Sequence, residues 1–259
     1  MDLEAYLRRI EYEGPRTPSA AVLRSLHRQH LFTVPFENLD IPLKTPIRLE
    51  LPLLYDKIVG RRRGGFCYEL NGLFYELLAG LGFQVYMLSA SVRAENGGFG
   101  PEFDHMLLKV ELEEPWLADV GFGESFLNPI PFRSGGADQV NERRYLVEEA
   151  GNEWQLVGED KQGQVPLYRF RDVPRQLADY EEMCRFHQTS PESHFTKSWI
   201  CSKATPHGRI TLANMRLIIT NDGVRDENIL TTQAELRACL RDQLGIQPSE
   251  SVDLSIFSA

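Results

Sequence analysis

The sequence is poor in cysteine, and its few cysteines stand far apart. Four occur in 259 residues, and no two of them form a C-x-x-C pair. This spacing disfavours a zinc site, and no bound metal is expected. Reduced thiols in a cytoplasmic protein are the simplest interpretation. The cysteines are Cys67, Cys184, Cys201 and Cys239, and we expect the last three to be structural.

The sequence also lacks a long apolar run and an excess of positive charge. No stretch approaches the roughly 18 apolar residues of a membrane-spanning helix. The first four residues, which are acidic, contain no signal-peptide apolar core. The formal net charge is −9. Nucleic acids and anionic membranes are therefore not expected as main partners, because an acidic surface does not attract them.

What the sequence does contain is typical of a globular protein. Hydrophobic residues make up 42% and charged residues 25%. The length allows two small domains or one elaborated domain. Residues 1–83 have the pattern of a helical unit, residues 84–173 that of a mostly antiparallel β region, and residues 174–259 a mixed pattern. No internal repeat or low-complexity linker separates these regions.

The spacing of apolar residues predicts individual elements in these regions. His27 and His30 are expected to be partly exposed, or at the edge of the core, on a helix that begins at residues 17–18. Strands are predicted at residues 85–92, 105–111, 116–120, 145–148, 154–157, 167–170 and 209–220.

One cysteine, Cys67, follows two glycines and opens a helical pattern of apolar residues. The pattern places it in the first turn of a helix that ends near Gly80 and Gly82. The free N–H groups and the dipole at a helix start favour an anion, so a thiol there ionises more easily. Gly64 and Gly65 leave room for a bulky substrate beside the sulfur. An inert buried thiol is the alternative interpretation.

A cysteine nucleophile needs a base and a group that orients this base. Among six histidines, His105 is the candidate base because it begins a strand just after a glycine-rich loop at residues 96–101. Asp119 is the candidate orienting group, since an unpaired carboxylate is costly to bury in an apolar strand. An ordinary strand-end histidine and a structural salt bridge are the alternatives.

Spacing alone does not bring His105 and Asp119 together. A simple hairpin that turns at residues 113–114 leaves them about four residues apart along the ladder, on the order of 13 Å. A bulge, a strong twist or an offset loop must close this gap if the two side chains are to meet.

Four motifs resemble those of the arylamine N-acetyltransferase family. They occur in the order of the family and are spread over nearly the whole chain, whose length is similar to that of the bacterial members. The motifs are Pro35-Phe36-Glu37-Asn38-Leu39, Arg63-Gly64-Gly65-Phe66-Cys67, Asp119-Val120-Gly121-Phe122-Gly123, and Cys201-Ser202 through Thr205-Pro206-His207-Gly208-Arg209. The resemblance implies an α+β multidomain fold with a papain- or transglutaminase-like Cys-His-Asp core. Its parts would be an N-terminal helical bundle with the nucleophile (1–83), a central antiparallel β-barrel with the histidine and aspartate (84–173) and a C-terminal α/β lid (174–259).

The resemblance also implies a reaction. The triad would be Cys67, His105 and Asp119, of which His105 matches by order and by its strand. The enzyme would be an acyltransferase that moves acetyl groups from acetyl-CoA to the nitrogen of arylamines, hydrazines or arylhydroxylamines, in a ping-pong scheme through acetyl-Cys67. Acetyl-CoA would be the cosubstrate, and xenobiotic metabolism in the cytoplasm the setting.

Other residues correspond to functional positions of the family, but shorter stretches of matching sequence surround them. The acceptor pocket would include Phe36, Val92, Phe122 and Phe126, for each of which plain core is the alternative. CoA would approach Gly98, Gly100 and Thr205. Arg63 and Glu37 would form a structural ion pair.

Three other functions stay open. An amide synthase of the same fold, which closes a macrolactam, would keep the same triad. A transglutaminase-like thiol hydrolase acting on proteins would form an acyl-cysteine without CoA. A non-catalytic binding module could have kept the fold, although the intact Cys67, His105 and Asp119 argue against it.

Overall fold

The structure is a computed structural model, and it describes residues 1–140, 143–247 and 253–258. Short 3₁₀ turns occur at Leu177–Tyr180 and Ser255–Ser258, and a π-helical turn occurs at Asp56–Gly60. The α-helices of the described residues are α1 (Leu3–Arg9), α2 (Ala20–Thr33), α3 (Leu51–Tyr55), α4 (Cys67–Gly80), α5 (Glu181–Thr189), α6 (His194–Lys197) and α7 (Gln233–Asp242).

The strands form two antiparallel sheets. The strands are β1 (Phe36–Glu37), β2 (Gln84–Val92), β3 (His105–Glu111), β4 (Pro115–Ala118), β5 (Ile130–Pro131), β6 (Gly136–Val140), β7 (Arg143–Ala150), β8 (Glu153–Asp160), β9 (Gly163–Phe170), β10 (Ile200–Thr205), β11 (Gly208–Ala213), β12 (Arg216–Asn221) and β13 (Val224–Ile229). The first sheet has the order β5-β4-β3-β2-β9-β8-β7-β6, and the second β1-β10-β11-β12-β13.

The eight-stranded sheet is a nearly closed barrel. Its two edge strands, β5 and β6, lie side by side. A Cβ on Gly136 would lie 1.9 Å from the Pro131 carbonyl oxygen, so only glycine fits where they meet. Leu107, Leu117 and Leu156 are fully buried in the barrel core. Near closure protects strand edges that would otherwise expose unpaired backbone groups.

Helix α4 lies at the centre of the helical region, as its apolar period predicts. Leu70, Leu73 and Leu77 are at most 1% exposed, and each such burial contributes about 2 kcal/mol. The Glu69 carboxylate accepts the Phe66 N–H and so satisfies one free donor at the helix start. The chain leaves the helix at Gly82, whose φ of +91° favours glycine. The predicted helix from Cys67 to Gly80 is confirmed.

Several strand predictions are wrong in their bounds, since the strands predicted at residues 145–148, 154–157 and 167–170 are longer in the structure. The strand predicted at residues 116–120 ends at Ala118, so Asp119 lies just outside it. The strand predicted at residues 209–220 is a hairpin of β11 and β12. Its turn residues, Asn214 and Met215, have φ of 46° and 65°, which matches the tight turn that suits hairpin twist.

The second helix also differs from its prediction. It begins at Ala20, with the Ser19 hydroxyl accepting the Val22 N–H, rather than at residues 17–18. His27 and His30 are fully buried, not partly exposed as expected. Both ring nitrogens of His27 make hydrogen bonds in the core, whereas His30 makes one, between Nε2 and the Tyr6 hydroxyl. These bonds reduce the penalty for burying the rings.

The short strand β1 joins the N-terminal region to the second sheet. Phe36 pairs with Ser202, and Glu37 pairs with Cys201. The same segment forms a parallel bridge between Phe36 and Gly65, just before α4. The division into three domains with bounds at 83 and 173 stays a prediction. Among the described residues, no helix has both the length and the apolar character needed to cross a bilayer.

Candidate active site

Cys67 is the first residue of α4 and is 3% exposed. Its own N–H has no acceptor within the helix, because the first turn lacks a preceding carbonyl. The sulfur accepts a hydrogen bond from the backbone N–H of Met106. Burial nevertheless raises the pKa of the Cys67 thiol well above its ordinary value. Burial thus works against the easier ionisation expected for a thiol in the first turn of a helix.

The two glycines before the cysteine accommodate protein atoms. A Cβ on Gly64 would lie 2.0 Å from the Pro35 carbonyl oxygen, and one on Gly65 would lie 2.8 Å from Glu69 Oε2. The Glu37 N–H donates to the Gly65 carbonyl at 2.8 Å. The prediction that these glycines leave room for a substrate is wrong, because they allow β1 to approach the start of α4.

His105 and Asp119 meet because the β3–β4 hairpin has a different register from the predicted one. Glu111 pairs with Pro115 and Leu108 with Ala118. One further step along the ladder places Asp119 opposite Leu107, two residues from His105, or about 7 Å. Residues at this offset are diagonal neighbours on one face of a sheet. His105 Nε2 lies 2.8 Å from Asp119 Oδ2.

Asp119 is almost completely buried, and its carboxylate accepts four hydrogen bonds. Oδ2 accepts from His105 Nε2 at 2.8 Å and from the Tyr168 hydroxyl at 3.1 Å. Oδ1 accepts from Asn71 Nδ2 at 2.9 Å and from the Gly121 N–H at 3.0 Å. Burial alone would raise the pKa of Asp119, but His105, Asn71 and Gly121 together hold it below its ordinary value. Asp119 is thus a stable anion.

The contact with Asp119 fixes the proton on the His105 ring. A carboxylate only accepts hydrogen bonds, so Nε2 carries the proton and Nδ1 is the basic atom. The ring is 2% exposed. It packs edge-on against Phe122, at 5.1 Å between centroids, and at a tilt against Tyr168, at 5.2 Å between centroids. The imidazole is therefore held in one orientation by both polar and apolar contacts.

Asn71 ties the cysteine helix to the strands that carry His105 and Asp119, and sequence reasoning missed it. It lies one turn after Cys67, on the same face of α4. Its amide donates to the Met106 carbonyl at 2.6 Å as well as to Asp119. Its carbonyl accepts the Val120 N–H at 2.9 Å. A fully buried asparagine in an apolar helix was the signal that could have found it.

His27 holds the loop after β4 from the other side, and it was also missed. Its Nε2 accepts the Asp119 N–H at 3.1 Å, and its Nδ1–H donates to the Leu127 carbonyl at 2.8 Å. The ring stacks on Phe126, with centroids 5.6 Å apart. Burial lowers the pKa of His27, which keeps the ring in the neutral form that both bonds require.

A buried network of charges braces the start of α4. Arg63 Nη2 lies 2.8 Å from Glu37 Oε1 and 2.9 Å from Asp40 Oδ1. Lys57 Nζ lies 2.8 Å from both Asp40 Oδ2 and Glu69 Oε1. The Arg63–Glu37 contact is thus one part of a larger network. Burial raises the pKa of Glu69 to about 7, against the attraction of Lys57.

The predicted acceptor-pocket residues occupy different surroundings. Phe122 contacts His105, and Phe36 lies within 4 Å of the position a side chain on Gly123 would take. Phe126 is fully buried, whereas Val92 is half-buried at the end of β2. Their role in acceptor binding stays a prediction.

The predicted CoA-contacting residues lie in separate parts of the fold. Gly98 and Gly100 close their own loop, through hydrogen bonds of Gly98 with Ala94 and Asn96 and of Gly100 with Val92. Thr205 ends β10 in the other sheet. Whether these residues contact CoA also stays a prediction.

Comparison with known proteins defines the class of enzyme first. The sequence model of the family described as N-acetyltransferase matches residues 19–252 of this chain. The protein is therefore an acyltransferase.

Individual relatives then define the family. An arylamine N-acetyltransferase from Escherichia coli is 35% identical over 248 residues, which cover 94% of this chain and 88% of the relative. The structure of the Mycobacterium marinum arylamine N-acetyltransferase in complex with CoA superposes with a TM-score of 0.91 at 30% identity, covering 99% and 97% of the two chains. The chain belongs to the arylamine N-acetyltransferase family.

A third comparison bears on the site. The arylamine N-acetyltransferase from Bacillus cereus superposes with a TM-score of 0.88 at 25% identity, covering 96% of this chain and all of that one. That enzyme has a Cys-His-Glu catalytic triad. The solved relatives confirm the predicted fold class. In this chain the acidic residue beside the histidine is an aspartate, Asp119.

Proposed function

We propose that this protein transfers the acetyl group of acetyl-CoA to the nitrogen of an arylamine or hydrazine through an acetyl-Cys67 intermediate, in a ping-pong scheme. The observation that carries the proposal is the 2.8 Å contact between Asp119 and His105. His105 directly precedes Met106, whose backbone N–H donates to the Cys67 sulfur. A nucleophile, a base and an orienting carboxylate thus belong to one buried cluster.

In the first step, the Cys67 thiol gives its proton to His105 Nδ1, and the sulfur attacks the thioester carbonyl. Burial disfavours an isolated thiolate. The proton transfer, however, creates an imidazolium at His105 that stabilises the thiolate, and the anionic Asp119 stabilises this imidazolium. The backbone N–H of Cys67 meets the oxyanion of the tetrahedral intermediate. The carbon–sulfur bond to CoA then breaks, and the departing CoA sulfur takes the proton from His105.

In the second step, the amine nitrogen attacks the acetyl carbon of acetyl-Cys67. His105 Nδ1 accepts the proton that the nitrogen loses, and the bond between acetyl carbon and Cys67 sulfur breaks. The proton returns to the sulfur, and the enzyme is restored. An aromatic ring of the acceptor would lie against Phe122 and Phe36, whose flat apolar faces suit it.

The relatives support acetyl-CoA as the donor and a triad as the machinery. The Mycobacterium marinum relative binds CoA, and the Bacillus cereus relative uses a Cys-His-acid triad. For this chain both remain part of the proposal, with Asp119 as the acid. An amide synthase or a thiol hydrolase would share Cys67 and His105 but would not require acetyl-CoA as donor.

Intact-protein mass spectrometry tests the proposal. We expect one acetyl group on the protein after incubation with acetyl-CoA alone, and its loss after an arylamine or a hydrazide is added. Cys67→Ala should take up none, whereas Cys184→Ala, which removes another buried thiol, should be acetylated like the wild type. No adduct on the wild type, or an adduct that persists in Cys67→Ala, would contradict the proposal.

A further inference from the structure

The base of the proposed reaction lies at the end of a ladder. His105 is the first residue of β3, and its pairing with Ala90 is the last of the β2–β3 ladder. On the other side of β3, the ladder with β4 begins only at Leu108. Most of the residues that lead into β3, 93–98 and 101–102, are exposed. Because strand ends beside exposed loops open most easily, the position of His105 depends on what holds the residues just before it.

Tyr68, the residue after Cys67, holds this segment through its hydroxyl. The hydroxyl donates to the Phe103 carbonyl at 2.7 Å and shares its proton with the Asp104 carbonyl at 3.2 Å. Tyr68 is fully buried, so these bonds form in a low-dielectric environment that strengthens them. The neighbour of the nucleophile is therefore bonded directly to the two residues that precede His105.

The backbone at Phe103 has an unfavourable conformation. Its φ of +67° lies in the left-handed region, which a bulky side chain rarely adopts. The Phe103 ring packs edge-on against Tyr180, at 5.3 Å between centroids, and the Arg175 guanidinium lies 5.0 Å from its centre. Such a conformation persists only where the surroundings determine it, and residues of this kind cluster at functional sites.

A second contact holds Asp104 from α5. His187 Nε2 lies 3.2 Å from Asp104 Oδ1, and 7% and 19% of the two side chains are exposed. The Ser193 hydroxyl donates to the His187 carbonyl, so it can only accept from His187 Nδ1, which lies 3.2 Å away. The His187 ring also stacks on the Tyr68 ring, at 6.1 Å between centroids. Tyr68 and His187 thus hold the backbone and the side chain of the same residue.

Helix α4 holds the chain after His105 as well. The Asn71 amide donates to the Met106 carbonyl at 2.6 Å. Tyr68 and Asn71 are three residues apart and therefore neighbours on the helix surface. One helix, which begins with the nucleophile, thus holds the residues on both sides of His105.

We propose that Tyr68 and His187 are positioning residues of the reaction, which fix residues 103–104 and so place His105 Nδ1 against the Cys67 sulfur. Both act through His105 and not on the substrate. The inference rests on the proposed acetyl transfer, because it adds residues to the same site. Placement matters for the rate, since a displacement of about 1 Å can slow a reaction about a hundredfold.

Removing one hydroxyl tests the role of Tyr68. We would measure acetyl-Cys67 formation over a range of acetyl-CoA concentrations, and alkylation of Cys67 by iodoacetamide, which requires the thiol but no acetyl-CoA. Tyr68→Phe should lower the alkylation rate, and the acetylation rate at saturating acetyl-CoA, by about tenfold to a hundredfold. The acetyl-CoA concentration for half-maximal rate should stay within about twofold, because the change affects a step after binding. Urea denaturation shows that the variant is folded, and a purely structural role would lower only its urea midpoint.

Tyr180→Phe is the matched control for this change. Tyr180 is also fully buried, and its ring lies 5.5 Å from that of Tyr68. Its hydroxyl, however, has no hydrogen-bond partner among the described residues. Its removal should leave both rates within about threefold of wild type. If Tyr180→Phe slowed both reactions as much as Tyr68→Phe, the packing of the rings and not the Tyr68 hydroxyl would matter, and the proposal would be wrong.

Two amide side chains at position 187 test the second contact. His187→Asn puts an amide nitrogen near the position of Nδ1, so it keeps the donor to Ser193 and loses the atom that faces Asp104. His187→Gln reaches the position of Nε2 and keeps a donor toward Asp104. His187→Asn should slow both reactions by about tenfold, and His187→Gln should recover most of this loss. Equal rates for the two variants would exclude a positioning role for the contact with Asp104.

The results for acetylation and alkylation separate this inference from the acetyl transfer itself. If the wild type forms acetyl-Cys67 and Tyr68→Phe keeps both rates, the positioning role is wrong and the acetyl transfer stands. A raised half-maximal concentration with unchanged alkylation would place Tyr68 in acetyl-CoA binding and overturn the positioning role. A wild type that takes up no acetyl group refutes the acetyl transfer, and the alkylation rates still decide the positioning role.

Discussion

Replacing Asp119 with asparagine is the substitution whose effect the structure predicts in most detail. The change keeps the shape and removes the charge. Every group that contacts the carboxylate donates a hydrogen bond: His105 and Tyr168 to Oδ2, Asn71 and the Gly121 N–H to Oδ1. An asparagine NH₂ would therefore face donors in either orientation.

The less costly orientation places the new NH₂ toward His105, because Asn71 and the Gly121 N–H cannot become acceptors. His105 must then accept at Nε2 and carry its proton on Nδ1. In that tautomer the ring cannot take the thiol proton of Cys67. The analogous change in a Ser-His-Asp hydrolase lowers kcat by about ten-thousand-fold, and we expect a loss of about a thousandfold or more here.

Stability should fall as well. Removing the charged partner of a buried hydrogen-bonded pair typically destabilises a protein by about 3–5 kcal/mol. The total stability of a domain is about 5–15 kcal/mol, so Asp119→Asn should fold but unfold at lower urea concentration. Asp119 has a depressed pKa, so its contribution is present above the ordinary aspartate pKa and is lost as the pH falls below it.

Three measurements check this prediction. Mass spectrometry gives the rate of acetyl-Cys67 formation, urea denaturation gives the free energy of unfolding, and nitrogen NMR reports which ring nitrogen of His105 is protonated. Tyr168→Phe is the matched control, since it removes one donor to Asp119 and keeps the charge. It should cost about 1 kcal/mol. An Asp119→Asn protein with wild-type acetylation and a proton still on Nε2 would refute the reasoning.

Two further predictions concern the surroundings of the cysteine helix. Asn71→Ala removes three buried hydrogen bonds and should lower the free energy of unfolding by about 3–5 kcal/mol, whereas Asn96→Ala removes one exposed bond and should have little effect; equal urea midpoints for the two variants would contradict this. Glu69 has a folded pKa of about 7 against an ordinary value of 4.5, so folding takes up a proton between these pH values. Its contribution to stability therefore decreases as the pH rises through this window, by at most about 1.4 kcal/mol per pH unit. Urea denaturation of Glu69→Gln from about pH 5 to about pH 7 should lack this slope, and an unchanged slope would show that another group causes it.

The helix of Cys67 was predictable because its apolar residues repeat at helical spacing and few other structures bury that pattern. The assignment of Cys67, His105 and Asp119 to one site came from the order of motifs, not from spacing. The predicted hairpin left His105 and Asp119 too far apart. A three-residue connection after Glu111 set the register instead, and single sequences do not specify such loops closely.

Asn71 and His27 could not be placed from sequence because their partners are distant in the chain. Asn71 contacts Met106, Asp119 and Val120, which lie at least 35 positions away. A polar residue on an apolar face signals a buried partner but does not name it. The space beside Gly64 could not be judged from sequence for the same reason, since the Pro35 backbone that fills it comes from an earlier segment.

Single-turnover transfer from isolated acetyl-Cys67 protein tests the central proposal most directly. Protein acetylated by acetyl-CoA and freed of CoA would be mixed rapidly with an arylamine, and the decay of the adduct followed by quenched mass spectrometry. The proposal predicts that the acetyl group appears on the amine nitrogen at a rate at least equal to kcat of steady turnover. An adduct that transfers more slowly than kcat, or that releases acetate to water instead, would contradict it.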